Sequence, residues 1–429
     1  MAAQRCNAAQ PLRPSVRFLP QTLILMLVVL VATVADAGEH GEIRGLQTAA
    51  RAMLGATQGI YVEEADGSVL LAQAAGRPVH PASVSKVPTT LALLRKFGPD
   101  HRFVTTFAAS GAVHDGTLDG DLLVESGGDP YFVDENALLV VERLHEAGVW
   151  RVAGGLRIRG ALTFDWQIDA DGERLRNAMS GMAPVAAWAA VRGISPDDAA
   201  ITAAAAPPPP MIQFGGAAGL ARVGAGAVSG RPLVVHRSQP LLSLAKSLND
   251  YSNNIFKPLA DAAGGATEVE SLARSVVPAF MRSEITLGDG AGTDPSNRLS
   301  PRAAVKLLRA LEQELALHGH SLPDILPVAG IDDGTLHDRL NAPEEVGRVV
   351  GKTGTYGDYG ASALIGAIST SDRGTVYFAI LNHGIAVPEA RRRQDRFVRA
   401  LLQRLHSTRW NYQPDARPAA ARAEVLSVP

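Results

Sequence analysis

The chain has one cysteine in 429 residues, Cys6. It lies in a leader-like start, so the rest of the chain can form no disulfide and hold no cysteine nucleophile. Charge of one sign is also missing: 41 basic against 43 acidic residues leave a formal net charge of −2. No basic block of the kind that tracks a phosphate backbone stands out. Arg391-Arg392-Arg393 is short, opens a helical pattern and reads as a solvated face. Nucleic acid is therefore excluded as a partner. Cofactor and metal motifs are lacking too. There is no H-E-x-x-H, no P-loop and no G-x-G-x-x-G, and His318 and His320 have no carboxylate support. No cofactor and no metal are expected. A G-x-S-x-G elbow is absent as well.

Long apolar runs are confined to the start. Arg5, Arg13 and Arg17 precede the uncharged stretch Thr22–Val34, which ends at Ala35-Asp36-Ala37. That stretch is short for a bilayer span and suits a signal peptide with a small-residue cleavage site. The expectation is a leader over 1–37 and an exported, periplasmic chain. It would meet the membrane only through that leader, or stay membrane-associated if the leader were kept.

Beyond the leader, residues 43–75 predict a helix and then a hairpin turning at Asp66-Gly67. Pro81-Ala82-Ser83 opens a helix that runs to Phe97 and stops at Gly98-Pro99. From about 100 to 235 short strand-like runs alternate with turn signals, which predicts a β-rich insert. Helical periodicity returns at 240–250, 255–263 and 301–318. Strands are predicted at 347–351, 361–368 and 375–382, then a helix over 393–405. The last residues, 411–429, carry prolines and alanines without periodicity and read as a disordered tail.

Three short motifs carry chemistry. Ser83 and Lys86, three apart at a helix start, share one face. A lysine amine there can take the serine proton if burial or nearby positive charge lowers its pKa. Ser252 and Asn254 lie between two helical patterns. Ser252 can relay a proton to a leaving amine, and Asn254 can donate to a substrate carbonyl and hold Lys86. Lys352, Thr353 and Gly354 end a strand and run into Thr355. A strand edge aligns a peptide by main-chain pairing. Lys352 and Thr353 suit a carboxylate, and Gly354 admits a ligand close to the backbone. The N–H groups of Ser83 and Thr355 can then form an oxyanion hole. Each motif alone has a bland reading: a helix cap with a surface lysine, a turn, a strand end.

Together the three resemble the S-x-x-K, S-x-N, K-T-G triplet of penicillin-binding proteins and serine β-lactamases. The stretch from Lys86 to Ser252 is longer than a class A β-lactamase accommodates, and no E-x-x-L-N follows the second motif. The long gap is similar to the D-alanyl-D-alanine carboxypeptidase/endopeptidase family of low-molecular-mass penicillin-binding proteins. So are Pro81–Lys86, Gly120–Pro130, Gly288–Gly292 with Asn297-Arg298, and Leu326–Leu336. The chain departs from the family in a short insert and in Lys257-Pro258. The resemblance implies a transpeptidase/β-lactamase-like α/β (α+β) fold, an antiparallel sheet flanked by helices. It would be built from 38–98 and 236–410, with the insert at 99–235. It also implies a serine-type D-Ala-D-Ala carboxypeptidase or endopeptidase of peptidoglycan metabolism, acylated at Ser83. Its partners would be cell-wall peptides, with β-lactam antibiotics as covalent inhibitors. Asp165 falls where some relatives place an aspartate that faces a substrate amine. The rival readings are a serine β-lactamase and a non-catalytic peptidoglycan-binding protein.

Overall fold

The computed structural model of the protein describes residues 44–193, 208–221, 230–251, 255–358, 360–417 and 419–428. The expected leader lies outside these residues. Among those described, no helix is long and apolar enough to cross a membrane.

The main sheet is antiparallel. Its order is Val349–Tyr356, Ala361–Thr370, Thr375–His383, Gly59–Glu63, Val69–Gln73, and Ser407–Thr408 adds to the second of these. Thr375–His383 reads as an unbroken apolar run because it is buried on both faces. Val376, Phe378 and Ile380 point to a core shared with the helix over 44–54 and with helix Val387–Arg404. Tyr377, Ala379 and Leu381 alternate onto the opposite core, with helices Lys86–Phe97 and Pro301–Leu317. Strand alternation thus splits one apolar sequence between two helical layers. Mixed α/β architecture around an antiparallel sheet is what the sequence led us to expect.

A second core lies under another sheet, ordered Gly219–Leu220, Leu156–Arg159, Leu122–Glu125, Val104–Ala109, Arg231–Arg237, Glu424–Ser427. Helix Asp134–Glu146 packs Leu138, Val141 and Leu144 into that core. The turn-rich reading missed this helix. Its periodicity is short and sits between segments dominated by glycine and aspartate.

The tail requires a correction. Instead of lacking order throughout, Glu424–Ser427 adds an antiparallel strand to Arg231–Arg237, with Val425 opposite His236. Four residues are too few for alternation to show in sequence. Their order comes from edge pairing and from Arg102, which binds the Arg422 carbonyl at 3.0 Å and Glu424 at 3.4 Å. The third motif is also placed differently. Lys352, Thr353 and Gly354 lie inside strand Val349–Tyr356, opposite Ile365, Leu364 and Ala363, and not beyond its end. Gly351 and Gly354 are weak strand formers and Lys352 interrupts the apolar run, so pattern alone stopped the strand early.

Candidate active site

Ser83 sits in a short turn of 3-10 helix, Ala82–Ser85, that feeds directly into helix Lys86–Phe97. The turn is strained at its entry, where Ala82 has φ of 49°. It is held there because the Ala82 N–H donates to His80 Nδ1 at 3.1 Å, while His80 Nε2 meets the Asp294 carbonyl at 3.0 Å. The His80 ring also stacks on Tyr356, with centroids 3.8 Å apart. The nucleophile's turn is thus fastened to the strand that carries the third motif.

Glycines make this close approach possible. A side chain on Gly354 would meet the Pro81 carbonyl at 2.6 Å and Ser83 N at 3.1 Å. One on Gly292 would meet the Ala82 carbonyl at 2.0 Å. Gly354 therefore serves the packing of strand against turn, where the sequence suggested a path for ligand.

The lysine lies where the motif requires. Lys86 is fully buried, and its Nζ donates to Ser83 Oγ at 2.7 Å and to the Ala291 carbonyl at 2.8 Å. Burial pushes its pKa down to about 7, against a smaller upward pull from Asp289. Asp289 is tied up locally, accepting from the Gly292 N–H at 2.8 Å and Asn297 Nδ2 at 2.9 Å. Ser85, the competing hydroxyl, is wholly buried with no hydrogen-bond partner, whereas Ser83 is partly open.

Lys352 is buried as well, and its Nζ donates to the Thr353 carbonyl at 3.2 Å. Burial, and then the nearby Lys86 charge, drive its pKa well below the ordinary lysine value. Thr353 Oγ1 donates to Thr335 Oγ1 at 2.8 Å. The Thr355 hydroxyl accepts from Arg391 at 2.9 Å.

Ser252 and Asn254 lie outside the described residues. Their flank does not. The Asp250 carbonyl accepts the Thr335 N–H at 2.9 Å, which ties the approach to the second motif to the loop beside Lys352. Burial raises the Asp250 carboxyl to about 7.

Asp165 stands apart. It occupies, with Trp166, the two-residue turn between Thr163–Phe164 and Gln167–Ile168, at φ of 47° and 65°. It lines a cavity of about 560 Å3 with Tyr131, Asp134, Glu135 and Arg143, and that lining contains none of Ser83, Lys86 or Lys352. Tyr131 also borders a second cavity, with Asp250 and Tyr251, so the two adjoin. The structure thus brings Ser83, Lys86, Lys352, Thr353, Gly354 and Thr355 together and leaves Asp165 in a neighbouring cavity. Sequence reasoning missed His80, Thr335 and Arg391. Thr335 lies inside the quoted Leu326–Leu336 stretch. The other two act through contacts between remote parts of the chain, which no local pattern displays.

Residues 46–206 and 212–404 match the D-Ala-D-Ala carboxypeptidase 3 (S13) family. The chain belongs to that family. It is accordingly a serine hydrolase of the S13 peptidase type. Among solved structures it is similar to a predatory endopeptidase of Bdellovibrio bacteriovorus in complex with an immunity protein. Identity is 22%, 85% of this chain and 97% of that chain are covered, and the TM-score is 0.69. A penicillin G-acylated predatory endopeptidase from the same organism matches at 21% identity over 84% and 96%, with a TM-score of 0.67. Penicillin-binding protein 4 of Haemophilus influenzae matches at 18% identity over 85% and 99%, with a TM-score of 0.58. These likenesses show a shared fold.

Proposed function

We propose that this S13 peptidase removes the terminal D-alanine from peptidoglycan stem peptides, or cuts D-amino-acid cross-links, through an acyl-enzyme on Ser83. The observation that carries this reading is the 2.7 Å contact between Ser83 Oγ and a buried Lys86 whose pKa falls to about 7. A lysine so placed is substantially unprotonated at neutral pH and can take the hydroxyl proton directly.

The steps follow from the residues. Ser83 Oγ attacks the penultimate D-Ala carbonyl as its proton passes to Lys86. The N–H groups of Ser83 and Thr355 hold the oxyanion. Ser252 passes a proton to the leaving amine, and Asn254 positions the acyl amide and Lys86. Water then attacks the ester, with Lys86 as base. Lys352 and Thr353 orient the leaving residue and its proton relay. Strand Val349–Tyr356 aligns the peptide. Asp165, across the adjoining cavity, meets an amine of the stem peptide. The same reading assigns catalysis to 38–98 with 236–410 and substrate selection to 99–235, which the C-terminal strand joins. It includes export through the leader over 1–37. β-Lactams present the same carbonyl and acylate the same serine.

A fluorescent penicillin tests this. We expect a stable adduct mapping to Ser83 by mass spectrometry, and none in Ser83→Ala. Rapid turnover would favour a β-lactamase and no labelling a binding protein. An adduct on Ser85 would remove the assignment.

A further inference from the structure

The last stretch of the chain links the catalytic body to the insert by a route across two cavities. It leaves the body at Trp410, whose N–H donates to the Gly347 carbonyl at 2.8 Å, and at Tyr412, which donates to Asp332 at 2.7 Å. It reaches the insert at Glu424–Ser427, paired antiparallel with Arg231–Arg237. Between these anchors, Tyr412, Asp415, Arg417 and Arg422 line the cavity of about 580 Å3 that contains Asp250 and Tyr251, the residues just before Ser252. Ala421, Ala423 and Val425 line the adjoining cavity of about 560 Å3 on the other side of Tyr131. The span is lightly held. Residues 413–417 are exposed, and the ion pairs of Asp415, with Arg417 at 2.8 Å and Arg422 at 3.2 Å, join the span only to itself. Such pairs contribute little at a surface, and a segment with few buried apolar contacts opens locally at low cost.

We infer that the segment joining Tyr412 to Glu424 straps the substrate path and sets the balance between trimming free peptide ends and cutting cross-links, an inference that rests on the acyl-transfer reading above with the stem peptide lying along these cavities. A strap fixed at both ends turns a groove into a passage. A stem peptide that ends in a free D-Ala is unbranched, and its end threads beneath the strap to Ser83. A cross-link has no such end at the scissile bond. Its leaving group is a second whole stem, joined through a side chain, so the substrate is branched and must be laid into the groove from the side. Side entry needs one anchor to let go. The strand anchor is built to release: it is four residues long and lies at the edge of its sheet, with Val425 only half-buried. Glu424 supplies its charge contacts, to Arg102 at 3.4 Å and Arg237 at 3.8 Å. The other anchor is firmer, since Tyr412 joins the buried Lys246–Asp332 pair.

A reducible lock on the strand anchor tests this. Val235 and Leu426 are direct cross-strand partners, and the Cα atoms of such partners lie about 4.5–5.5 Å apart, a span that a disulfide bridges. Strand alternation turns Leu426 away from Val425 and the cavity. Cys6 is the one cysteine of the chain and lies in the expected leader, so Val235→Cys with Leu426→Cys creates a single addressable disulfide. The substrates are a fluorescent penicillin, a linear stem pentapeptide and a cross-linked dimeric muropeptide. Oxidation should lower kcat/KM on the dimer by about 5- to 30-fold relative to the reduced form, while the penicillin and the pentapeptide react alike in both. Reduction should restore wild-type rates, which also checks the fold. Glu424→Ala should move the dimer-to-pentapeptide ratio the opposite way. A ratio that is the same in the oxidised, reduced and Glu424→Ala proteins, or a dimer that none of them cuts, overturns the strap alone. Wild type that forms no penicillin adduct and cuts neither peptide overturns the acyl-transfer reading, and the strap with it.

Discussion

Two buried lysine clusters border the stretch Leu326–Leu336, and they are built in opposite ways. Lys246 donates to the carbonyls of Pro323 and Leu326 at 3.0 Å and 2.6 Å, and to Asp332 at 2.5 Å, with Asp250 at 3.8 Å. Its charge is fully met. Lys86 and Lys352 are as deeply buried, yet among the described residues neither has a carboxylate within ion-pair distance; burial lowers the pKa of both, and the Lys86 charge lowers that of Lys352 further. A paired buried lysine is a strut. An unpaired one near a hydroxyl is a base, held at the expense of stability. Burial alone does not make a lysine catalytic; the missing counter-ion does.

The contrast breaks most sharply at Lys86→Met. Acylation by penicillin should slow by about 10²- to 10⁴-fold, the range for a lost general base. Yet the variant should be at least as stable as wild type in urea, since a poorly solvated amine is replaced by an apolar chain of similar length. The pH dependence has a defined sign. Lys86 titrates near 7 folded and at 10.5 when exposed, so the unfolded chain binds more protons between those values. Wild-type stability should therefore rise with pH across that window, and the slope should lessen in Lys86→Met. In wild type kcat/KM should rise through about pH 7 as Lys86 loses its proton. A flat profile, or a destabilised variant, would move Lys86 into the structural class.

Lys246→Met should do the reverse. It leaves Asp332 and Asp250 buried without their cation, and removing one partner of a buried pair costs about 3–5 kcal/mol. Tyr412 also donates to Asp332 at 2.7 Å, and Val328 N–H at 2.7 Å, which softens the loss without replacing the charge. Urea unfolding should show the drop, and any slowing of acylation in the folded fraction should be smaller than in Lys86→Met. If catalysis falls further than stability, the two clusters are one functional unit.

How much of this could be read in the sequence follows the range of the interactions. The Ser83–Lys86 pair is a three-residue spacing on one helix face, and pattern finds it. The central strands announce themselves by apolar runs with alternation hidden inside. By contrast, the strain at Ala82, the His80–Tyr356 stack and the clasp of Arg391 on Thr355 join residues remote in sequence, and each looks ordinary where it stands. Gly354 shows the limit plainly. Its glycine was legible, but which neighbour needed the space was not, because Pro81 is remote from it along the chain. The tail strand failed for a related reason: four residues carry too little pattern, and their order comes from the edge they join.

The smallest test carries the comparison to charges of the other sign. Around Asp165 it is acids that crowd together. Burial, then Asp165 and Glu135, raise the Asp134 carboxyl to about 6. Arg143, the cation in the lining, is engaged by Glu146 at 2.6 Å. Unmet negative charge here suits an amine, and a stem peptide with a diamino residue carries one. The cavity adjoins the approach to the second motif through Tyr131, so a long side chain can span the two. Exposed charge pairs contribute little, so Asp165→Asn should lower kcat/KM for an amine-bearing peptide by no more than about fivefold. The sign of selectivity is the sharper readout. Wild type should prefer the free amine over its N-acetylated form, and the variant should lose that preference. The gap should also narrow above the amine's own pKa, and at high salt. Equal losses on the free and acetylated peptides would mean that Asp165 shapes its turn, where φ of 47° already sets it apart, and not the substrate.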